Sequence, residues 1–200
     1  MKVTQVTKTI QGVIDLTWPM ILISIVVLVS IRLTYLLKNK QHIVLYKELL
    51  TLSFIIYILC LFQIVTFQDT VSWSTNNFIP FKEMFRYKIG SRLFLKNVLG
   101  NMIMFLPFGF FTTYFLNSEK PYMVGIISML TSISIELVQM YIGRVFDVDD
   151  IILNILGSAA GFYIYDFLRK IGNKIPSIFK SEVFLNIVSI IILLGAISLM

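Results

Sequence analysis

Along these 200 residues the apolar side chains come in long unbroken runs, parted by short polar segments. Six runs stand out, at about Leu16–Leu36, Leu49–Phe67, Val98–Leu116, Tyr122–Ile142, Ile151–Phe167 and Val183–Met200. At a rise of about 1.5 Å per residue, some 20 residues cross the roughly 30 Å of hydrocarbon in a bilayer, so each run is close to spanning length. Backbone groups find no water in lipid, and each run is therefore expected to be a helix. Apolar residues that do not alternate with polar ones argue against a β-barrel. The pattern predicts an all-α fold, a polytopic membrane helix bundle of about six transmembrane helices. The whole chain, 1–200, reads as one transmembrane domain without a clear internal repeat. The first run begins too far in, and lacks a small-residue cleavage site, so it reads as a retained helix rather than a signal peptide.

The longest connection, Gln68–Lys96, has its own pattern. It contains Asn77-Phe78-Ile79-Pro80-Phe81, and Phe81, Met84, Phe85 and Lys88 fall at helical spacing. With Trp73, Phe78 and Tyr87 as interfacial aromatics, this predicts a short amphipathic helix lying on the membrane before the third span. The alternative is an ordinary loop folded back on the bundle.

Composition and charge narrow the class. Hydrophobic residues make up 57% and charged residues only 14%, too few charges to cover a water-soluble globule of 23.1 kDa. The net charge of +6 comes from short segments between the runs, so it reads as membrane topology and contact with anionic lipid, not nucleic acid. Arg32 near the end of the first run with Lys38, Lys40 and Lys47 after it, Arg169, Lys170, Lys174 and Lys180 after the fifth, and Lys120 share one side. They narrowly outnumber the opposite set of Lys2, Lys8, Lys82, Arg86, Lys88, Arg92, Lys96 and Arg144. That excess places both termini outside. Cys60 lies in an apolar run and His42 in a Lys-rich loop, and neither suggests a role.

Polar residues inside apolar runs are expensive in lipid and so carry information. Asn97 and Asn101, four apart, share a face at the start of the third run, which continues to Pro107 and Gly109. Pro107 removes a backbone hydrogen bond and permits a kink. Glu136 and Gln139, three apart, close the fourth run. Glu136 lies roughly 9 Å inside it, so it must be protonated or paired with a cation, with Arg144 and Arg92 as candidates. The turn Gly143-Arg144-Val145-Phe146-Asp147-Val148-Asp149-Asp150 follows, and its acids suit the positive end of the fifth helix. Asp150, Asn154, Gly157 and Gly161 then recur on one stripe, and Gly157/Gly161 permit close approach of a helix from this chain or from a second copy in a homo-oligomer.

These residues predict an outward-facing pocket between the third, fourth and fifth helices. It would be lined by Asn97, Asn101, Glu136, Gln139, Arg144, Asp147, Asp150 and Asn154. The plainer alternative makes the amides interhelical glue, the acids helix caps, and Glu136 with Arg144 a buried pair. No acidic spacing matches a metal loop and no phosphate-binding or nucleophile motif occurs, so neither metal nor cofactor is expected. Arg144 beside the acids suits a phosphate or carboxylate together with hydroxyls or amines, as in a headgroup or a peptide-sugar.

The same residues carry a family resemblance. Asn77-Phe-Ile-Pro-Phe81, Asn97-Val-Leu-Gly-Asn-Met-Ile-Met-Phe-Leu-Pro-Phe-Gly109, Ile135-Glu-Leu-Val-Gln139 and Arg144-Val-Phe-Asp-Val-Asp-Asp-Ile-Ile-Leu-Asn-Ile-Leu-Gly-Ser-Ala-Ala-Gly161 resemble the VanZ-like family of bacterial membrane proteins in order and spacing. The resemblance covers about residues 45–168, leaving 16–36 and 183–200 as accessory helices. The family takes its name from a protein associated with resistance to teicoplanin, a lipid-bearing glycopeptide antibiotic. The resemblance implies a multi-pass protein of the bacterial plasma membrane and cell envelope that lowers susceptibility to such drugs. It supplies no catalytic residue set. Three readings follow: a non-enzymatic protein binding a lipid-linked envelope precursor or a lipoglycopeptide; an intramembrane enzyme with Glu136 or Asp150 as general base; and a small transporter or flippase, against which stands the lack of an inverted repeat or of a charge at mid-bilayer.

Overall fold

A computed structural model of the protein describes residue 19 and residues 22–40, 42–67, 76–88, 90–172 and 176–198. The expected start of the first helix at Leu16, the aromatic Trp73, the cations Lys2, Lys8 and Lys174, and the terminal Met200 lie outside the described residues. The long helices are α1 (22–38), α2 (Leu45–Phe67), α3 (Arg92–Leu116), α4 (Pro121–Tyr141), α5 (Val148–Gly172) and α6 (Glu182–Ser198). Four of them, α2 to α5, are long and apolar enough to cross a membrane, and α6 is a shorter apolar helix. Among the described residues there is no strand, only an isolated parallel bridge between Asn77 and Asp147.

The chain divides into two compact units. In the first, α2 packs against α6 around Ile56, Cys60 and Ala196, with Ile25, Leu52 and Leu193 alongside. A two-pronged ion pair joins α1 to α2: Arg32 Nε and Nη2 donate to the Glu48 carboxylate at 2.9 and 3.0 Å.

The second unit, residues 68–174, contains α3, α4 and α5. Here α5 is the central helix, packed on α3 and on α4, while α3 and α4 touch much less. Glycine decides the α3–α5 contact. A Cβ on Gly157 would run into the Met102 carbonyl, one on Gly161 into the Leu106 carbonyl, and one on Gly109 into the Ser158 carbonyl. The two backbones meet with no side chain between them, so the Gly157/Gly161 stripe is occupied within this chain. α3 passes through Pro107 unbroken and ends at Asn117, whose left-handed φ of 48° suits asparagine. The seam between α5 and α4 is polar. Ser128 and Ser158 hydroxyls lie 2.7 Å apart, and the Asn154 amide donates to Ser132 Oγ at 2.8 Å. In hydrocarbon such pairs hold helices together because the alternative is an unsatisfied polar group.

Among the described residues between 76 and 91 the chain forms a turn and one 3-10 helix of three residues, Met84–Arg86. The helical spacing of Phe81, Met84, Phe85 and Lys88 therefore does not produce a longer amphipathic helix. Pro80 has no N–H, and the backbone N–H groups of Phe81, Glu83 and Met84 are drawn to a carboxylate on α5 instead of to a helical ladder.

Candidate functional site

The site forms at one end of the second unit, where α4 stops, α5 starts and α3 enters. α4 closes in a tight glycine turn: the Gly143 N–H donates to the Met140 carbonyl and the Arg144 N–H to the Gln139 carbonyl, at 3.1 and 2.9 Å. Gly143 sits at φ +85°, where an L side chain is strained. This turn fixes the backbone of Arg144. A Gly143→Ala substitution is expected to cost about 1–2 kcal/mol through that strain alone, with Gly143→Asn costing less. Thermal unfolding of the purified protein checks the order Gly, Asn, Ala.

α5 begins with Asp147 as its cap: Asp147 Oδ1 accepts the Asp149 N–H at 2.9 Å. The same oxygen accepts the Asn77 side-chain amide at 2.8 Å. Glu136, on the last turns of α4, accepts the Asp147 N–H on Oε2 at 2.9 Å. One carboxylate thus ties α4 to the entry of α5, and the next ties that entry to the loop. Asn77 completes the join through its backbone, donating to the Phe146 carbonyl and accepting from the Val148 N–H at 2.8 and 3.0 Å. Phe78 stacks on Phe146 with ring centroids 5.3 Å apart.

Asp149 makes the densest contact. It exposes 1% of its surface and accepts three backbone N–H groups of the loop: Phe81 on Oδ1, and Glu83 and Met84 on Oδ2 at 2.7 and 3.0 Å. A buried carboxylate needs such donors, since a charge without partners cannot be kept from water. Asp150, the next residue, turns to α3 and accepts the Asn101 amide on Oδ1. Arg144 is partly buried within electrostatic reach of Glu136 and Asp150; burial lowers its basicity while those two carboxylates oppose the change. Burial also pushes the Asp147 carboxyl up, against the amide of Asn77 and the N–H of Asp149 that favour its charged form.

The eight residues read from the sequence as pocket lining are therefore placed as follows. Glu136 and Asp147 join one hydrogen-bond network with Asn77 and Asp149, Asp150 and Asn101 form a separate pair beside it, and Arg144 is within electrostatic reach of both Glu136 and Asp150. Gln139 is buried on the last turns of α4, and its carbonyl holds Arg144. Asn154 lies a turn below, in the α4–α5 seam, where its buried Oδ1 has no donor among the described residues. Asn97 is half-buried on a π-turn at Leu95–Leu99 that leads into the rest of α3. Sequence reasoning did not anticipate Asn77, nor Asp149 as a clamp on the loop. The signal for both was the Asn77–Phe81 segment and the surplus acids of Asp147-Val-Asp-Asp150, only one of which can cap a helix. Among the described residues no group of three His, Cys, Asp or Glu side chains is arranged to hold a metal ion. A cavity of about 440 Å³ adjoins the clamped loop, lined by Met84, Phe85, Tyr87, Lys88, Phe94 and Val98.

A protein-family model described as VanZ/LLP1 matches residues 54–169, more than half of the chain. That range contains every residue of the network and the whole of α4. Comparisons with curated proteins and with solved structures gave no match.

Proposed function

This chain belongs to the VanZ/LLP1 family, and on that premise we propose that it works in the bacterial plasma membrane to lower susceptibility to lipid-bearing glycopeptide antibiotics. In this reading the end of the second unit that carries Arg144 faces the extracytoplasmic side. There it engages an antibiotic or a lipid-linked envelope precursor. The supporting observation is the placement of Arg144. Its backbone is pinned by the Gly143 turn, and two carboxylates, Glu136 and Asp150, act on its charge. A cation held this way beside acids suits a partner that offers a phosphate or carboxylate together with hydroxyls or amines. The two candidate bases are both engaged in structural hydrogen bonds, Glu136 with the Asp147 N–H and Asp150 with the Asn101 amide, which supports a binding role over general-base chemistry.

The test compares cells expressing the wild-type protein, Arg144→Ala and Arg144→Lys, at matched membrane levels of protein. Arg144→Ala is expected to return teicoplanin susceptibility to that of cells lacking the protein. Arg144→Lys is expected to fall between, because lysine keeps the charge and loses the planar fork. Wild-type susceptibility in Arg144→Ala cells with normal protein level overturns the reading.

A further inference from the structure

The cavity beside the clamped loop has features the acidic network does not explain. Its volume of about 440 Å³ falls in the range of ligand pockets, roughly 300–1,000 Å³. Met84, Phe85, Tyr87, Phe94 and Val98 make it apolar, and Lys88 is the charged residue among its lining. Phe94 and Val98 belong to the first turns of the span Arg92–Leu116, so the cavity lies against the start of α3. The loop above it is greasy and basic. Phe78, Ile79, Phe81 and Phe85 are all exposed, Phe85 by 84%. Arg86 is paired with Glu83 at 3.0 Å, whereas Lys82, Lys88 and Arg92 form no ion pair among the described residues. Asp149 holds this loop in place through the loop's backbone N–H groups.

We infer that this cavity binds one acyl chain of an anionic phospholipid, with Lys88 taking the phosphate of its headgroup. An apolar cavity against the first turns of a spanning helix accepts a hydrocarbon tail, and Lys88 in its lining, with Lys82 and Arg92 near it in the chain, matches an anionic headgroup and not a zwitterionic one. Exposed phenylalanines on a clamped loop seat the mouth at the headgroup level. The site is distinct from the Arg144 network and does not depend on the susceptibility role.

The experiment uses the full-length protein purified into micelles holding equal dioleoyl-phosphatidylglycerol and dioleoyl-phosphatidylcholine, with retained lipid counted by native mass spectrometry. Wild type is expected to retain one phosphatidylglycerol in preference to phosphatidylcholine. Val98→Trp, which fills the slot, is expected to lose the retained lipid of either kind. Lys88→Glu is expected to keep a lipid but lose the preference by roughly an order of magnitude, because anionic surfaces attract each lysine and the change reverses a charge. Equal retention of both lipids by wild type overturns the proposal, as does unchanged retention and preference in Lys88→Glu; both mark ordinary boundary lipid. Should Val98→Trp fail to fold, Lys88→Glu, altered at an exposed side chain, decides alone.

Discussion

Replacing Asp149 by asparagine is expected to unhook the Asn77–Met84 loop and to cost about 3 kcal/mol of stability, since hydrogen bonds to charged groups contribute about 1.5–3 kcal/mol each and do not add. Three backbone N–H groups converge on this one carboxylate. Asparagine is nearly the same size, but it offers one acceptor oxygen in place of two and turns an NH₂ toward donors. Pro80 has no N–H and interrupts a helix here, so the loop does not regain those bonds as a regular helical ladder. Two measurements check the expectation. The amide protons of Phe81, Glu83 and Met84 should lose protection from hydrogen exchange, and the unfolding midpoint in mild detergent should fall. Asp166→Asn is the control. Asp166 makes surface pairs with Arg169 and Lys170 at 2.8 and 2.6 Å, and exposed pairs of this kind contribute little. If Asp149→Asn leaves both the exchange rates and the midpoint where they are in wild type, the clamp is not what holds the loop.

The second large effect belongs to the glycine contact between α3 and α5. Gly157→Ala and Gly161→Ala are each expected to cost about 3 kcal/mol, the upper end for overpacking. The added methyl meets a backbone carbonyl, of Met102 in one case and Leu106 in the other. A side chain could rotate away; a helix backbone can only be pushed aside. Gly109→Ala should do the same from the α3 side, against Ser158. Once the helices have parted, a second methyl finds the gap already open. The double substitution Gly109→Ala with Gly157→Ala should therefore cost clearly less than the two singles together. Parting the helices also stretches the bond from Asn101 to Asp150, so the site loosens with the scaffold. Gly125→Ala is the comparison, because a Cβ there meets nothing within 4 Å. Unfolding free energies in detergent–SDS mixtures decide the matter. Gly125→Ala is expected to be neutral or slightly stabilising, since alanine favours a helix over glycine by up to about 1 kcal/mol, and a Gly157→Ala protein as stable as Gly125→Ala would show that close packing does not set the effect.

How much of this was legible beforehand differs from element to element. The helices α2 to α5 follow from the runs directly, since uninterrupted apolar residues in lipid leave the backbone no partner but itself. The segment before α3 was legible only as two alternatives, a short amphipathic helix or a loop folded back on the bundle, and the structure has the loop with a three-residue 3-10 helix. Its apolar residues had helical spacing, but spacing reports only which side chains would share a face. It does not report that a carboxylate some 65 residues later competes for the backbone N–H groups of Phe81, Glu83 and Met84. The candidate site was half legible. Glu136, Asp150 and Asn101 stood out because polar groups inside apolar runs are costly. Asp149 did not, because an acid in the first turn of a helix already has a local explanation as a partner of the helix dipole.

The sequence by itself determined the solvent, the class and the family: long apolar runs and scarce charge specify helices in a bilayer, and the ordered polar segments are those of VanZ/LLP1 proteins. Tertiary structure decided which acid does what. Asp147, Asp149 and Asp150 are neighbours in the chain and nearly interchangeable on paper, but successive residues of a helix point about 100° apart. One therefore caps α5, one clamps the loop and one reaches α3. The same holds for the glycines. The stripe announced that some helix could come close, and only the packed unit showed that the partner is α3 of the same chain, because close approach depends on where two backbones lie in space and not on spacing along either of them.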